Sequence, residues 1–310
     1  GLFDFSKVGN FTIEIDPRRV DADRLLWNHK TCGANRLSFG LQDFDPTVQR
    51  RVNRIQPQEI FKNILTKEVR KAYKTIAFDL LIGQPGQTNE TMAETCDQII
   101  ELKPTLIQLS LMAYKPWVAR YQTKMVAEGP LPDFLDRKEL VEVINEKLVK
   151  AGYLRTGYEC YSLPDDSMTK AFREGTAHYG ASGHQTGGRV NFVAVGSSSK
   201  GNLGNDYYSQ SFYDLPSYKK SLDKGEFPTF RGMKLSKDDK IRQHATQQFK
   251  SYTKIDFNQF ERNFQINPKE YFSKEIEYLD EMVKDGLVTV SNDGIEMTEL
   301  GRDFSQNIAN

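Results

Sequence analysis

The stretch TIAFDLLIGQPGQTNETMAETCDQIIEL, residues 75–102, decides the fold. Its first eight residues, Thr75 to Ile82, are an apolar run of strand-forming type that carries one carboxylate, Asp79. Gly83, Pro85 and Gly86 then break the run, as residues that favour turns do. Thr88 is placed to cap a helix, because its hydroxyl can accept from an unpaired N–H of the first turn. Glu90 lies in that first turn, where the helix dipole favours a negative charge. A helix over Asn89–Leu102 follows. The unit is therefore strand, tight turn, helix.

The same unit recurs on both sides. Strand-like runs occupy Phe11–Ile15, Arg36–Leu41 and Leu106–Met112, and helical patterns occupy Asp21–Lys30 and Gln58–Tyr73. Strands alternating with helices over short joints predict a parallel sheet. Four such strands are visible, whereas a closed eight-stranded barrel takes roughly 250 residues. The sheet is therefore expected to be either small and open or a barrel without its first strands.

Beyond it, Asp136–Lys150 reads as an amphipathic helix with Leu140, Ile144 and Leu148 on one face, ended by Gly152. The next stretch, about 153–230, is rich in Gly, Ser, Tyr and Asn. So long an irregular stretch inside an ordered chain is expected to shape a site. From Leu235 the helices return. Pro268–Lys284, then Leu287–Val290, a Ser291–Gly294 turn and Ile295–Thr298 form a helix-and-hairpin, winged-helix-like pattern. The expected division is 1–152 as the sheet domain, 153–234 as a substrate-site region completing it, and 235–310 as a mainly helical C-terminal domain.

Bulk composition narrows the function. Lys+Arg and Asp+Glu are both 42 in 310 residues, so no overall positive charge steers the chain to nucleic acid. No run of about 18 apolar residues exists to span a membrane. The opening GLFDFSKVGNFTIEIDP lacks the basic-then-apolar order of a signal peptide. It also has no initiator Met, which suits a fragment or a processed chain. Cys32, Cys96 and Cys160 are far apart, with no CxxC and no even-numbered framework, as expected of free thiols in a reducing cytoplasm. The segment GSSSKG (196–201) starts like a phosphate loop, but such a loop ends in GK[ST], and here Asn202 follows Gly201.

Polar groups gather at the strand ends. FTIEIDP places Glu14 and Asp16 opposite Phe11, Ile13 and Ile15; the second strand runs into Gln42 and Asp43; the third carries Asp79; and Arg54 follows one short helix after the second. Parallel sheets hold ligands at these carboxyl ends. Carboxylates that can take an amine or ribose hydroxyls, with a guanidinium that can take a carboxylate in two-pronged fashion, suit a zwitterionic ligand bearing a sugar.

FTIEIDP, NRLSFGLQDFDPTVQRRVNRIQ, FDLLIGQPGQT and the REG…H…G…TGG stretch, in this order, resemble the oxygen-independent coproporphyrinogen III oxidase family, which includes haem-chaperone and anaerobic haem-utilisation branches. The resemblance covers nearly the whole chain. It implies an α/β fold, a partial TIM-type barrel of the radical S-adenosylmethionine (SAM) type lacking its first strands, plus the winged-helix-like tail. It implies SAM and a [4Fe–4S] cluster as cofactors, a tetrapyrrole as substrate, and an electron donor such as flavodoxin or ferredoxin. A cytoplasmic monomer without nucleic acid is expected.

By this resemblance Glu14, Gln42, Arg54, Asp79 and Ala113 fall on SAM-contacting positions. Lys200 falls on a position used for a second SAM and usually filled by an apolar residue. Cys160 stands where the oxidase branch is expected to have histidine. His178, His184 and Arg189 are candidates to meet propionates. The family's CxxxCxxC loop and the GGTP strand end after it should precede FTIEIDP, and neither is in the sequence. Hence the expectation that the first strands are missing and that this chain carries no metal ligands. The oxidase activity, oxidative decarboxylation of coproporphyrinogen III to protoporphyrinogen IX, leads. Radical chemistry on the haem ring and haem binding without turnover stand beside it.

Overall fold

A computed structural model describes residues 7–127, 129–157, 159–180, 183–187, 191–204 and 206–309. The chain forms two compact units, 1–170 and 171–310.

The first unit is built on strands β1 (Thr12–Ile15), β2 (Arg36–Gln42), β3 (Thr75–Ile82) and β4 (Leu106–Leu111), which lie side by side and parallel in chain order. The helices between them are α1 (Ala22–Cys32), α2 (Pro46–Arg51), α3 (Gln58–Ile64), α4 (Lys67–Ala72) and α5 (Asn89–Leu102). After β4 come α6 (Gln122–Met125), α7 (Phe134–Lys150), β5 (Leu154–Arg155) and β6 (Cys160–Ser162). Strand β6 joins β4 antiparallel and β5 joins β6 antiparallel. The expected parallel α/β sheet, either small and open or part of a barrel without its first strands, is therefore present. Its last two strands come from the Gly-rich stretch, and one of them, β6, runs against the others, which the strand–helix alternation did not foretell.

Period-two side-chain alternation decides which face is which. Leu37, Phe39 and Leu41 of β2 and Phe78, Leu80 and Ile82 of β3 turn to the helices and are almost fully buried. Phe61 of α3 stands edge-on to both Phe39 and Phe78, with ring centroids 5.8 and 5.2 Å away. Met92, Cys96 and Ile99 of α5 and Leu140, Ile144 and Leu148 of α7 close this core. The other face of the sheet is polar, carrying Glu14, Arg36, Ser38, Asp79 and Gln108.

Capping explains where the helices start. Thr88 caps α5, accepting from the Thr91 N–H while the Thr91 hydroxyl takes the Thr88 N–H. Helix α7 starts two residues before the Asp136 expected from sequence, because Asp133 is the cap and Asp136 returns its bond in a capping box. The single helix expected over Gln58–Tyr73 is two. Thr66 accepts from the Val69 N–H and starts a new helix, α4, after a break at Leu65.

In the second unit, reached through α8 (Ser167–Arg173), β7 (His178–Gly180) and β8 (Gly183–Gln185) pair as a hairpin. Strands β9 (Lys200–Leu203), β10 (Tyr207–Ser211) and β11 (Thr229–Lys234) form an antiparallel sheet with β10 in the centre, and α9 (Leu215–Asp223) connects β10 to β11. The tail contains α10 (Lys237–Tyr252), β12 (Lys254–Asp256), α11 (Phe257–Phe264), α12 (Pro268–Tyr271), α13 (Ser273–Tyr278), α14 (Asp280–Lys284), β13 (Val288–Val290), β14 (Gly294–Met297), α15 (Glu299–Asp303) and α16 (Ser305–Ala309). Its helix-and-hairpin pattern matches expectation. The expected helix over Pro268–Lys284 is broken at Phe272 and Leu279, both of which turn into the core around Phe260.

Candidate functional site

The polar face of the first sheet concentrates its charge on neighbouring strands. Glu14 lies opposite Ser38 in the β1–β2 register, and Ser38 lies opposite Ala77, two residues before Asp79. The Ser38 hydroxyl donates to Asp79 Oδ2 at 3.0 Å. Burial lifts the Asp79 carboxyl above the ordinary range, and the Ser38 bond partly offsets it. Glu14 is raised by burial first and by the Asp79 charge second, although its side chain keeps a solvent-exposed edge. Two carboxylates that resist ionising together invite a cation or hydroxyl donors between them. One register row further on, Asp79 pairs with Gln108 and Gln108 with Cys160. Cys160 is fully buried, and that burial pushes its thiol up to about 12. A neutral thiol of this kind cannot perform the acid–base work of a histidine near neutral pH.

Arg54 reaches the end of β2 from the loop after α2. Its Nη2 donates to the Gly40 carbonyl at 2.7 Å and its Nε to Gln56 Oε1 at 3.0 Å. Gln56 is itself held by donating from Nε2 to the Gly40 carbonyl at 3.1 Å and to the Leu41 carbonyl. A Cβ on Gly40 would lie 2.9 Å from both Arg54 Nη2 and Gln42 Nε2, so this glycine is the space in which the guanidinium lies. Gln42 ends β2 with φ of 70°, a left-handed turn that takes the chain off the sheet. Asp16 at the end of β1 is held down at about 2, chiefly by its bond to Arg18, with a smaller contribution from Arg54.

The loops beneath this face are locked. Asp43, 1% exposed, accepts from Gln87 Nε2 at 2.6 Å, from the Thr95 hydroxyl at 2.9 Å and from the Asp45 N–H at 2.8 Å. Gln87 in turn takes the N–H groups of Gly83 and Gln84. The GQPGQT turn is thereby tied to the β2 loop. Ala113 follows β4, and its carbonyl accepts from Gln122 Nε2 at 3.0 Å.

The structure thus brings Glu14, Gln42, Arg54, Asp79 and Ala113 onto four adjacent parallel strands or the loops leaving them. Sequence reasoning passed over Ser38, Gly40 and Gln56. In RLSFGLQ the alternation that buries Leu37, Phe39 and Leu41 already puts Ser38 and Gly40 on the carboxylate face, so the signal was there. The remaining candidates lie in the second unit. Lys200 starts β9 and is exposed. His178 is half-buried on β7. His184 is 6% exposed, its Nε2 bonds the Lys250 carbonyl at 3.1 Å, and burial lowers it to about 4. Arg189 falls outside the described residues.

SAM fits what the first unit offers: a half-buried carboxylate at Asp79, a more exposed one at Glu14, and a guanidinium set in a glycine gap. An iron–sulfur cluster does not fit the chain. Cys96 and Cys160 are buried apart from the exposed Cys32, and among the described residues no three His, Cys, Asp or Glu side chains converge to hold a metal.

The sequence profile of the radical SAM superfamily matches residues 5–99. The chain is 34% identical over 307 residues to an oxygen-independent coproporphyrinogen III oxidase of Helicobacter pylori, covering 98% of this chain and 66% of that protein. It is 33% identical to the protein of the same name from Pseudomonas aeruginosa, over 95% of this chain and 63% of that one. Among solved structures, coproporphyrinogen III oxidase (HemN) from Escherichia coli, a radical SAM enzyme, superposes with a TM-score of 0.90 at 31% identity, over 97% of this chain and 68% of that chain. The chain therefore spans about two thirds of the length of these curated relatives.

Proposed function

The chain belongs to the oxygen-independent coproporphyrinogen III oxidase family of radical SAM enzymes, and from that premise we propose that its first unit is the SAM-holding part of an enzyme acting on a tetrapyrrole. The family uses SAM and a [4Fe–4S] cluster, the latter without a ligand set among the described residues. The observation that carries the reading is the Glu14–Ser38–Asp79 constellation beside Arg54 set in the Gly40 gap. Arg54 takes the ligand's carboxylate. Glu14 and Asp79 take its ammonium and ribose hydroxyls, and Gln42 and the backbone around Ala113 line the same strand ends. The locked Asp43–Gln87 loops hold these groups in place before the ligand arrives.

The proposed reaction removes CO2, a proton and two electrons from a propionate of coproporphyrinogen III, leaving a vinyl group. SAM bound at the cluster supplies the oxidising chemistry in such enzymes, and this chain's residues bind and orient it. A flavodoxin- or ferredoxin-type donor, a monomeric state and the cytoplasm complete the proposal. Three free cysteines suit a reducing compartment. No helix of the described residues is long and apolar enough to cross a membrane. His178, His184 and Arg189, the last outside the described residues, are the proposed partners of substrate propionates.

Calorimetric titration of this chain with SAM tests the reading. Binding is expected, with Asp79→Asn and Arg54→Met each weakening it about ten-fold or more, the size of a lost charge-assisted bond. No binding, or binding that both variants leave unchanged, would overturn it. The haem-utilisation alternative is favoured by the buried, neutral Cys160. Incubating the cluster-loaded full-length protein with haem and with coproporphyrinogen III separates the two, since an altered haem ring supports the former and a vinyl product the latter.

A further inference from the structure

The sheet of the second unit carries a row of three side chains for which neither the fold nor the SAM face accounts. In its register Gln210 of β10 lies opposite Lys200 of β9 on one side and Arg231 of β11 on the other. Residues directly opposite share a face. One turn of the pleat away, on the same face, Tyr208 pairs with Asn202 and with Met233. Lys200, Tyr208, Gln210, Arg231 and Met233 line a cavity of about 410 Å³. That lining holds two cations and, among the described residues, no carboxylate.

The central glutamine is the informative member. It is 6% exposed. Its Oε1 accepts from Arg231 Nε at 2.9 Å, which fixes the amide so that Nε2 is the donor left over. That Nε2 is buried and has no partner among the described residues. An unmet buried donor is unfavourable, so its orientation between two cations is a feature that a ligand acceptor would satisfy. Arg231 is steadied further by Nη2 against the Tyr213 hydroxyl at 3.5 Å, and Tyr208 by the Gln243 side chain on its hydroxyl.

Lysine, an amide N–H and a guanidinium in line are donors only, and what they select is a carboxylate or a similar oxyanion. Two strand spacings put the outer cations roughly 10 Å apart, a span that a body bearing more than one carboxylate can bridge. Tyr208 and Met233, 38% and 52% exposed, offer an aromatic ring and a thioether beside the row, which suits a flat apolar body. We infer that Lys200, Gln210 and Arg231 form a propionate-anchoring row for the tetrapyrrole. This rests on the tetrapyrrole reading above and assigns to the substrate a part of the chain that the SAM face does not include.

A carboxylate also belongs to SAM, so the test uses both probes. The full chain is titrated with coproporphyrin III, the stable oxidised ring, by fluorescence quenching, and with SAM by calorimetry. The proteins compared are wild type, Lys200→Met, Arg231→Met, the double variant, Gln210→Leu and the charge-preserving Lys200→Arg. The expected result is porphyrin binding weakened about ten-fold by each single cation loss and further in the double variant, near wild type in Lys200→Arg, with SAM affinity unchanged in Arg231→Met and Gln210→Leu. Unchanged porphyrin affinity in the double variant, with circular dichroism showing it folded, would overturn the row while leaving the tetrapyrrole reading intact. Loss of SAM rather than porphyrin affinity would reassign the row to SAM and overturn the inference. If the wild-type chain binds SAM but no porphyrin, the tetrapyrrole reading itself fails and the row fails with it. A misfolded Arg231→Met leaves Lys200→Met, on an exposed strand end, to decide the matter.

Discussion

Ser38 Oγ donates to Asp79 Oδ2 at 3.0 Å across the β2–β3 step, so the hydroxyl braces a carboxylate that its surroundings would rather keep protonated. Asp79 is half-buried, and its charge adds to the cost of ionising Glu14. The sign follows. A carboxyl whose folded value is raised contributes stability that is fully present below its unfolded value and lost as pH rises through the folded one. Ionising Asp79 in the ligand-free protein therefore costs stability. Asp79→Asn keeps an acceptor for Ser38 and removes the charge. Its melting temperature without ligand is expected to exceed wild type by roughly a few degrees at pH 7, with the gain fading near pH 4. With saturating SAM the variant's advantage is expected to shrink or reverse, because wild type binds the ligand about ten-fold more tightly and so gains more from it. Thermal scans at both pH values, with and without SAM, check this. A variant less stable than wild type at pH 7 without ligand would refute it.

Gly40 is required by a neighbour rather than by its own backbone. The Cβ of Gly40→Ala would press 2.9 Å from Arg54 Nη2 and from Gln42 Nε2. Both are ends of movable side chains, so they swing away and the fold survives. What is lost is the bond from Arg54 to the Gly40 carbonyl and the placement of the guanidinium. Gly40→Ala is expected to weaken SAM about ten-fold while shifting the melting temperature by no more than ~2 °C. Equal effects on affinity and stability would show a general packing defect instead.

How much of this was readable in advance depends on the range of the interaction. The Thr75–Ile82 strand and the Asn89–Leu102 helix match their sequence-derived limits, because alternation and a Thr88 cap are local signals. Glu14, Arg54 and Asp79 were legible as polar groups where parallel strands end. Alternation in RLSFGLQ puts Ser38 on the carboxylate face, but its bond to Asp79 was not legible, since only the strand register brings the two together. Arg36, which donates to the Ser167 hydroxyl at 2.6 Å across 131 residues, was equally invisible. The Lys200–Gln210–Arg231 row exists only in the pairing of three strands separated by loops of different length. Conversely, the joined helix over Gln58–Tyr73 was a failure of local reading: Thr66 followed by Glu68 is a cap signal inside an otherwise helical pattern.

The cysteines separate by exposure. Cys32 is exposed at the end of α1, whereas Cys96 and Cys160 are 0% exposed and burial raises both thiols to about 12. The thiolate is the reactive form. Iodoacetamide at pH 8 is expected to modify Cys32 alone in the folded protein and all three after unfolding in guanidinium, as read by peptide mass spectrometry. Native labelling of Cys160 at a rate comparable to Cys32 would show that the polar sheet face opens to solvent, and would reinstate the thiol as a candidate for chemistry there.

Gly301 has the least room for a Cβ among the glycines of the tail. It lies on α15 directly against the Leu287 carbonyl, which itself accepts the Thr298 N–H at 3.0 Å, so helix and hairpin meet backbone to backbone. A Cβ there would overlap that carbonyl oxygen. Unlike the side chains facing Gly40, this obstacle is main chain and cannot rotate aside. Helix propensity alone would make Gly301→Ala stabilising by about 1 kcal/mol. The collision is expected to outweigh it and to destabilise the protein by roughly 1–3 kcal/mol, the usual cost of overpacking. Gly286→Ala in the same tail is the informative control. It has φ of 70° but open space around the added methyl, so its penalty is conformational only. Urea titrations followed by far-UV circular dichroism are expected to rank Gly301→Ala below Gly286→Ala and both below wild type. A Gly301→Ala protein as stable as wild type would mean that α15 can lift away from the hairpin at little cost, and that the tail is held by its aromatic core around Phe260 rather than by this backbone contact.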